Sequence, residues 1–392
     1  MQKSSTGISA HPFLQNGFRP FFLLGALYSV TNLLIWGGFF AGHRPPPAFL
    51  LDPVSWHAHE MIFGFTIAIV AGFLLTAVAN WTGRNPAGPM HLAGLSLLWL
   101  AGRVVMHFDL GLPEMAIFLV EGSFILALAL TLSLPLLKSW NQRNFVFLVL
   151  LTILLACDMT FLVTKEFTSL YVAVMIVVAM ISLIGGRVIP SFTVAALHQR
   201  GKKAKQVAQE RLDISAILSL VLIILALVFT GPEGMFLAVV SFLSATLHAL
   251  RMRHYHTHRI LGDPMALILH IGYGWVIAGL ILTGFSALGT LPFQISLHAL
   301  TAGAIGSMTL GMMSRVPLAH TGRTVRATRL TILSFILLQG SALMRVLGPI
   351  MNPDNTVNWI MGSATLWAFC FAFYILAYAP ILWKPELERR AA

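Results

Sequence analysis

The sequence predicts an all-α polytopic membrane bundle of about twelve transmembrane helices, a single integral membrane domain over residues 1–392. Three observations carry this. Of the 392 residues, 57% are hydrophobic and only 10% charged, where a soluble domain carries about a quarter. The apolar residues fall into runs long enough to cross a bilayer. The formal charge of +11 is concentrated in alternate loops, as membrane topology demands. That pattern makes the lipid bilayer the expected partner and argues against nucleic acid.

In chain order the apolar runs cover roughly 18–41, 54–80, 91–108, 113–137, 145–164, 169–190, 212–230, 233–251, 264–288, 292–318, 329–348 and 357–383. Turn chemistry separates them: Pro45, Pro46 and Pro47, then Asn85-Pro86, Leu112-Pro113, Gly231-Pro232, Asp263-Pro264 and Asn352-Pro353. The first run continues as a full span with no small-residue cleavage site after it, so no removable signal peptide is expected. A basic loop over 191–211 holds Arg200, Lys202, Lys203, Lys205 and Arg211. Arg251, Arg253 and Arg259 follow the eighth run, and Arg323, Arg326 and Arg329 follow the tenth. The intervening loops 231–234, 288–292 and 348–357 hold no Lys or Arg. The charge bias therefore places these basic loops and both termini on the cytoplasmic side. Cys157 and Cys370 both lie in apolar runs, without a CxxC, and promise neither a disulfide framework nor a thiolate metal site.

The chain is organised around Trp56-His57-Ala58-His59-Glu60-Met61, at the mouth of the second run. Ionisable groups at such a place are costly, so function is the default reading. Part of this stretch recurs. At one constant offset Pro53 meets Pro292, His59 meets His298, Gly64 meets Gly303, Gly72 meets Gly311, and Thr82-Gly83-Arg84 meets Thr321-Gly322-Arg323. A three-residue insertion brings Arg103 onto Arg345. Spans 2–4 and 10–12 thus read as a parallel internal repeat, which suggests three four-helix units. Asp52 and Pro53 form a helix start, and Thr290 with Pro292 is expected to do the same for the tenth span.

The repeat puts His59 and His298 at equal depth, as axial ligation of a haem iron requires. His57 and His59 point about 200° apart on a helix, so they serve adjacent sites and cannot share one metal. His57, His59, His107 and His298 are the candidate metal ligands. Interfacial solvation is the competing reading for them. Arg103 and Arg345 suit haem propionates, with snorkelling to headgroups as the alternative. Glu60, three residues from His57, is expected on the same face, as catalytic partner or orienting group. Glu121 and Asp158 complete the intramembrane acids, as proton relays or as partners of an Arg or His. Met308, Met312 and Met313 suit Cu(I) or simply fill space between helices. His270 and the His254, His256 and His258 run read as structural or solvated.

Gly17-Phe18-Arg19-Pro20-Phe21-Phe22, the Trp56–Met61 stretch, and Gly72-Phe73-Leu74-Leu75-Thr76-Ala77 leading to Asn80-Trp81-Thr82-Gly83 resemble the NnrS family. The resemblance covers essentially the whole chain. It implies a haem- and copper-containing protein of the bacterial inner membrane, linked to nitric oxide metabolism and nitrosative stress. A further analogy is to haem–copper oxidases and nitric oxide reductases, which also have twelve helices in three groups of four and ligand histidines on helices two and ten. The departures are that spans six and seven lack the intramembrane histidines that hold copper there, and that span ten has one such histidine and not two.

These observations leave three function classes, of which a membrane transporter is the least favoured. One is a membrane redox enzyme with b-type haem and copper, reducing nitric oxide to nitrous oxide with electrons from quinol or a small donor. His57 and Glu60 would be its catalytic pair. Another is a non-catalytic haem and copper protein that binds, senses or delivers nitric oxide or metal. A transporter would show mid-membrane polar groups on broken helices; here they gather at one face. The charge bias makes a topological prediction: a reporter fused after Ala392 scores as cytoplasmic, and a periplasmic score contradicts the assignment.

Overall fold

A computed structural model describes residues 11–43 and 49–387. The turn expected at Pro45, Pro46 and Pro47 and both chain ends lie outside them. The described residues form helices and no strand, and twelve of the helices are long and apolar enough to cross a membrane. These are α1 (Phe18–Phe40), α2 (Pro53–Thr82), α3 (Pro89–His107), α4 (Glu114–Lys138), α5 (Val146–Thr164), α6 (Phe167–Gln199), α7 (Glu210–Thr230), α8 (Met235–Met252), α9 (Pro264–Ala287), α10 (Phe293–His320), α11 (Arg329–Met351) and α12 (Thr356–Trp383). Their order matches the expected runs. The main difference is α6, which continues through Pro190 to Gln199, so residues 191–199 of the expected basic loop are helical. Pro190 has no N–H for the bond to Gly186 that a regular helix would make there.

The helices alternate, so one end of the bundle carries the basic loops after α2, α6, α8 and α10. The other, the histidine end, carries the starts of α2 and α10. The central helices α2, α6 and α10 are the most buried. Asp52 starts α2 as expected, its carboxylate accepting from the backbone N–H groups of Val54 (2.9 Å) and Ser55 (3.1 Å). Thr290 does not do this for α10. Its hydroxyl donates back to the Phe285 carbonyl of α9 at 2.7 Å, and α10 begins from Pro292 without a side-chain cap. Beyond the far ends of α2 and α10, Gly83 (φ +66°) and Gly322 (φ +71°) take the left-handed conformation that ends a helix cheaply only in glycine, a physical reason for the recurring Thr-Gly-Arg.

Both helices also change pitch. A π segment runs Glu60–Thr66 in α2 and Ala299–Ile305 in α10. Each begins at the residue after a histidine, His59 or His298, and the two segments stand at the offset that relates those histidines. A π turn inserts a residue into the helix and rotates the side chains beyond it about the helix axis.

The N-terminal Gly17–Phe22 motif fastens the bundle's closure. Arg19 is fully buried. Its guanidinium donates to the carbonyls of Leu382 (3.0 Å) and Lys384 (2.6 Å), groups at the end of α12 that have no intrahelical partner. Phe21 and Phe22 press on Gly72 of α2, where a Cβ would meet them at about 3 Å. Two of the sequence motifs are therefore one contact. Charge-assisted bonds of this kind are worth about 1.5–3 kcal/mol, so Arg19→Met is expected to cost about 2 kcal/mol without changing helix content. Thermal unfolding in detergent checks this, and an unchanged midpoint contradicts it.

Candidate functional site

Two polar centres lie back to back at the histidine end, on opposite sides of α2. The first is a buried charge network among α1 to α5. Both nitrogens of the His59 ring are engaged, Nδ1 with Glu60 Oε1 at 2.9 Å and Nε2 with Asp158 Oδ1 at 2.8 Å. Glu60 Oε2 accepts from the Tyr28 hydroxyl and from Arg103 Nη1. Arg103 Nη2 donates to Glu121 Oε1. His59, Glu60 and Asp158 are fully buried, and Glu121 is only 3% exposed.

Local sequence makes room for this. A Cβ on Gly64 would lie 2.8 Å from Arg103 Nη1, and one on Gly102 would lie 2.6 Å from Glu121 Oε2. The carbonyl of Gly64, inside the π segment, accepts from the Trp99 indole at 3.0 Å. Arg103 also stands over the rings of Tyr28 and Trp99, at 5.8 and 6.0 Å from their centroids. Two carboxylate oxygens, Glu121 Oε2 and Asp158 Oδ2, are buried with no hydrogen-bond partner. Ligand atoms of His59, Glu121 and Asp158 lie within 4.8 Å of one another, so this triad could hold a metal ion.

The second centre is a cavity among α1, α2, α6, α10, α11 and α12. It opens at the histidine end with about 340 Å³ and narrows inward to a chamber of about 80 Å³. His57, Met61, His298 and Arg345 line both parts. His57 stacks on Trp36, ring centroids 4.2 Å apart and planes within 5°. Its Nδ1 is buried without a partner. His298 Nδ1 donates to the Gln294 carbonyl at 2.6 Å, which leaves Nε2 with its lone pair free. Arg345 has no acceptor among the described residues.

This geometry rearranges the expected pairs. His298 shares its cavity with His57 and not with His59, whose ring is committed to two carboxylates across α2. Glu60 serves His59 and Arg103, and not His57: Tyr28 and Arg103 draw its carboxylate to the other side. Arg103 is spent on Glu60 and Glu121, so only Arg345 is open to an anionic group. His107 donates through Nδ1 to the Arg103 carbonyl (2.7 Å), and its Nε2 lies 3.3 Å from the Tyr28 hydroxyl, whose proton goes to Glu60; the ring stands at the edge of the network and not in the cavity wall. His270 lies between Thr193 and Thr257 at 2.7 and 2.9 Å. His254, His256 and His258 do not converge; His256 bonds the Lys205 carbonyl. Met308 and Met312 line an apolar cavity of about 70 Å³ with no imidazole in its wall. Both cysteines are free and buried. Tyr28, Trp36 and Trp99 carry no distinguishing signal in the sequence, where they are aromatic residues on apolar runs.

Fold and site together define a twelve-span helical membrane protein with a buried acid, arginine and histidine network beside a histidine-lined cavity. The sequence model of the NnrS protein family matches residues 12–386, and the chain belongs to that family. No curated protein matches it.

Removing one member of a buried ion network costs about 3–5 kcal/mol because its partners keep their charge. Arg103→Met is expected to lose that much. Adding Glu60→Gln and Glu121→Gln is expected to restore most of it. Denaturation of the purified variants measures both, and simple additivity of the losses contradicts the network.

Proposed function

We propose that this chain is a membrane redox protein of the nitric oxide response, which binds haem in the His57, His298 and Arg345 cavity and reduces nitric oxide to nitrous oxide. The observation that carries the reading is the cavity itself. Two imidazoles with uncommitted nitrogens face it from different helices, beside an arginine without a counter-ion. This donor set suits a haem, which the imidazoles of His57 and His298 would hold, with the Arg345 guanidinium available to a carboxylate of the group. A copper ion would find imidazole and the Met61 thioether in the same wall, but Arg345 repels a cation and welcomes a carboxylate. That favours haem in this place.

A haem held there would supply one-electron chemistry and affinity for nitric oxide. The chain's own residues do the rest. Trp36 fixes the His57 ring by stacking, and the Gln294 carbonyl fixes the tautomer of His298. Ile62, Val174 and Ile305 give the inner chamber an apolar side opposite its imidazoles and arginine, which suits a small uncharged substrate. Reduction of two nitric oxide molecules consumes two electrons and two protons and yields one nitrous oxide and one water. Quinol or another small donor supplies the electrons. The carboxylates across α2 are placed to hold protons. The loop-charge bias supports this end of the bundle facing away from the cytoplasm, in a bacterial inner membrane on this reading.

The test is anaerobic nitrous oxide production by purified protein with excess reductant, read with the haem spectrum. Wild type is expected to turn over repeatedly. His57→Ala and His298→Ala are each expected to lose or convert the haem spectrum and to lose turnover. Uptake of about one nitric oxide per haem with no nitrous oxide would make the chain a binder and overturn the reaction while leaving the cavity.

A further inference from the structure

We propose that the network on the other side of α2 is a second metal site, in which His59, Asp158 and Glu121 bind one divalent cation of borderline hardness, such as Mn(II), Fe(II) or Zn(II). The proposal does not rest on the haem reading. It begins from charge. Glu60, Glu121 and Asp158 bring three carboxylates into the membrane interior, and Arg103 is the one arginine paired with them. Buried charge is tolerated only when compensated. With neutral His59, three carboxylates against one arginine leave an excess of two negative charges, which one divalent cation neutralises.

The second argument is the pair of orphaned oxygens. Glu121 Oε2 and Asp158 Oδ2 have no donor, although their residues are almost wholly buried, and buried carboxylate oxygens left unbonded are costly. Gly102 keeps the space beside Glu121 Oε2 clear. The third is how His59 is held. Its Nδ1–H donates to Glu60 Oε1, the carboxylate–histidine arrangement that orients a ligating imidazole and leaves Nε2 to the metal. That Nε2 stands 2.8 Å from Asp158 Oδ1, close to the roughly 3 Å between neighbouring ligands that each lie about 2.1 Å from one ion. One imidazole with carboxylates and no sulfur selects against Cu(I). Glu60 is a positioning residue here, and Arg103 fixes Glu60 and Glu121.

The experiment uses the full-length protein in detergent, stripped with EDTA, incubated anaerobically with Mn(II), Fe(II) or Zn(II), and desalted. Metal content, thermal midpoint and the haem spectrum are read on the same samples. The expected result is one equivalent of at least one of these ions and a raised midpoint. Asp158→Asn and Glu121→Gln are expected to lose both, while His57→Ala keeps the ion even where it loses haem. X-ray absorption on loaded wild type is expected to show nitrogen and oxygen neighbours with one imidazole, a readout that stands if a variant fails to fold. Sulfur or two imidazoles around the ion, or retention of the ion in folded Asp158→Asn, overturns the site. No ion bound by wild type also overturns it, and shows that protons alone neutralise the network.

Discussion

Three carboxylates beside one arginine, inside a bundle that spans a bilayer, set the terms for everything at the histidine end. An isolated ionised group there costs several kcal/mol or more, so each must be met by another from a different helix. Glu60 comes from α2, Arg103 from α3, Glu121 from α4 and Asp158 from α5. Tyr28 of α1 joins them through Glu60. Five consecutive helices are thereby held in one rotation about their axes. Small residues at Gly64 and Gly102 are required because the charged groups pass within contact distance of backbone.

Fixing α2 on that side also fixes the face it shows on the other. His57 and His59 lie two residues apart and face opposite ways, so the helix carries one imidazole into the network and one into the cavity. The π segments after His59 and His298 make each helix change pitch directly below its histidine, and similar pitch changes are frequent at functional sites. At the offset that relates the two histidines, Glu60 corresponds to Ala299, and Arg345, with no acid partner among the described residues, lines the cavity.

The spans were legible because hydropathy over twenty residues is a strong signal, and the Trp56–Met61 stretch stood out because charge in an apolar run is expensive. The pairing was not legible. Equal depth in the bilayer suggested His59 with His298, but depth says nothing about helix rotation. The tertiary partners that set rotation, Tyr28 for Glu60 and Trp36 for His57, look in sequence like ordinary apolar filling. Asp158 was recognised as a buried acid, yet its partner lies 99 residues away, and no periodicity links them. Thr290 does not cap α10 because the helix starts after Pro292, which has no side-chain acceptor, and the Thr290 hydroxyl is turned back onto the Phe285 carbonyl of α9.

The central claim is that α2 separates a haem cavity at His57 and His298 from a carboxylate network at His59. The most direct measurement is an anomalous difference map at the iron edge from crystals of the purified protein carrying its native cofactors. The account predicts an iron peak in the cavity, between His57 and His298 and near Arg345. An iron peak at His59 with the cavity unfilled, or haem density against any other face of the bundle, would contradict it.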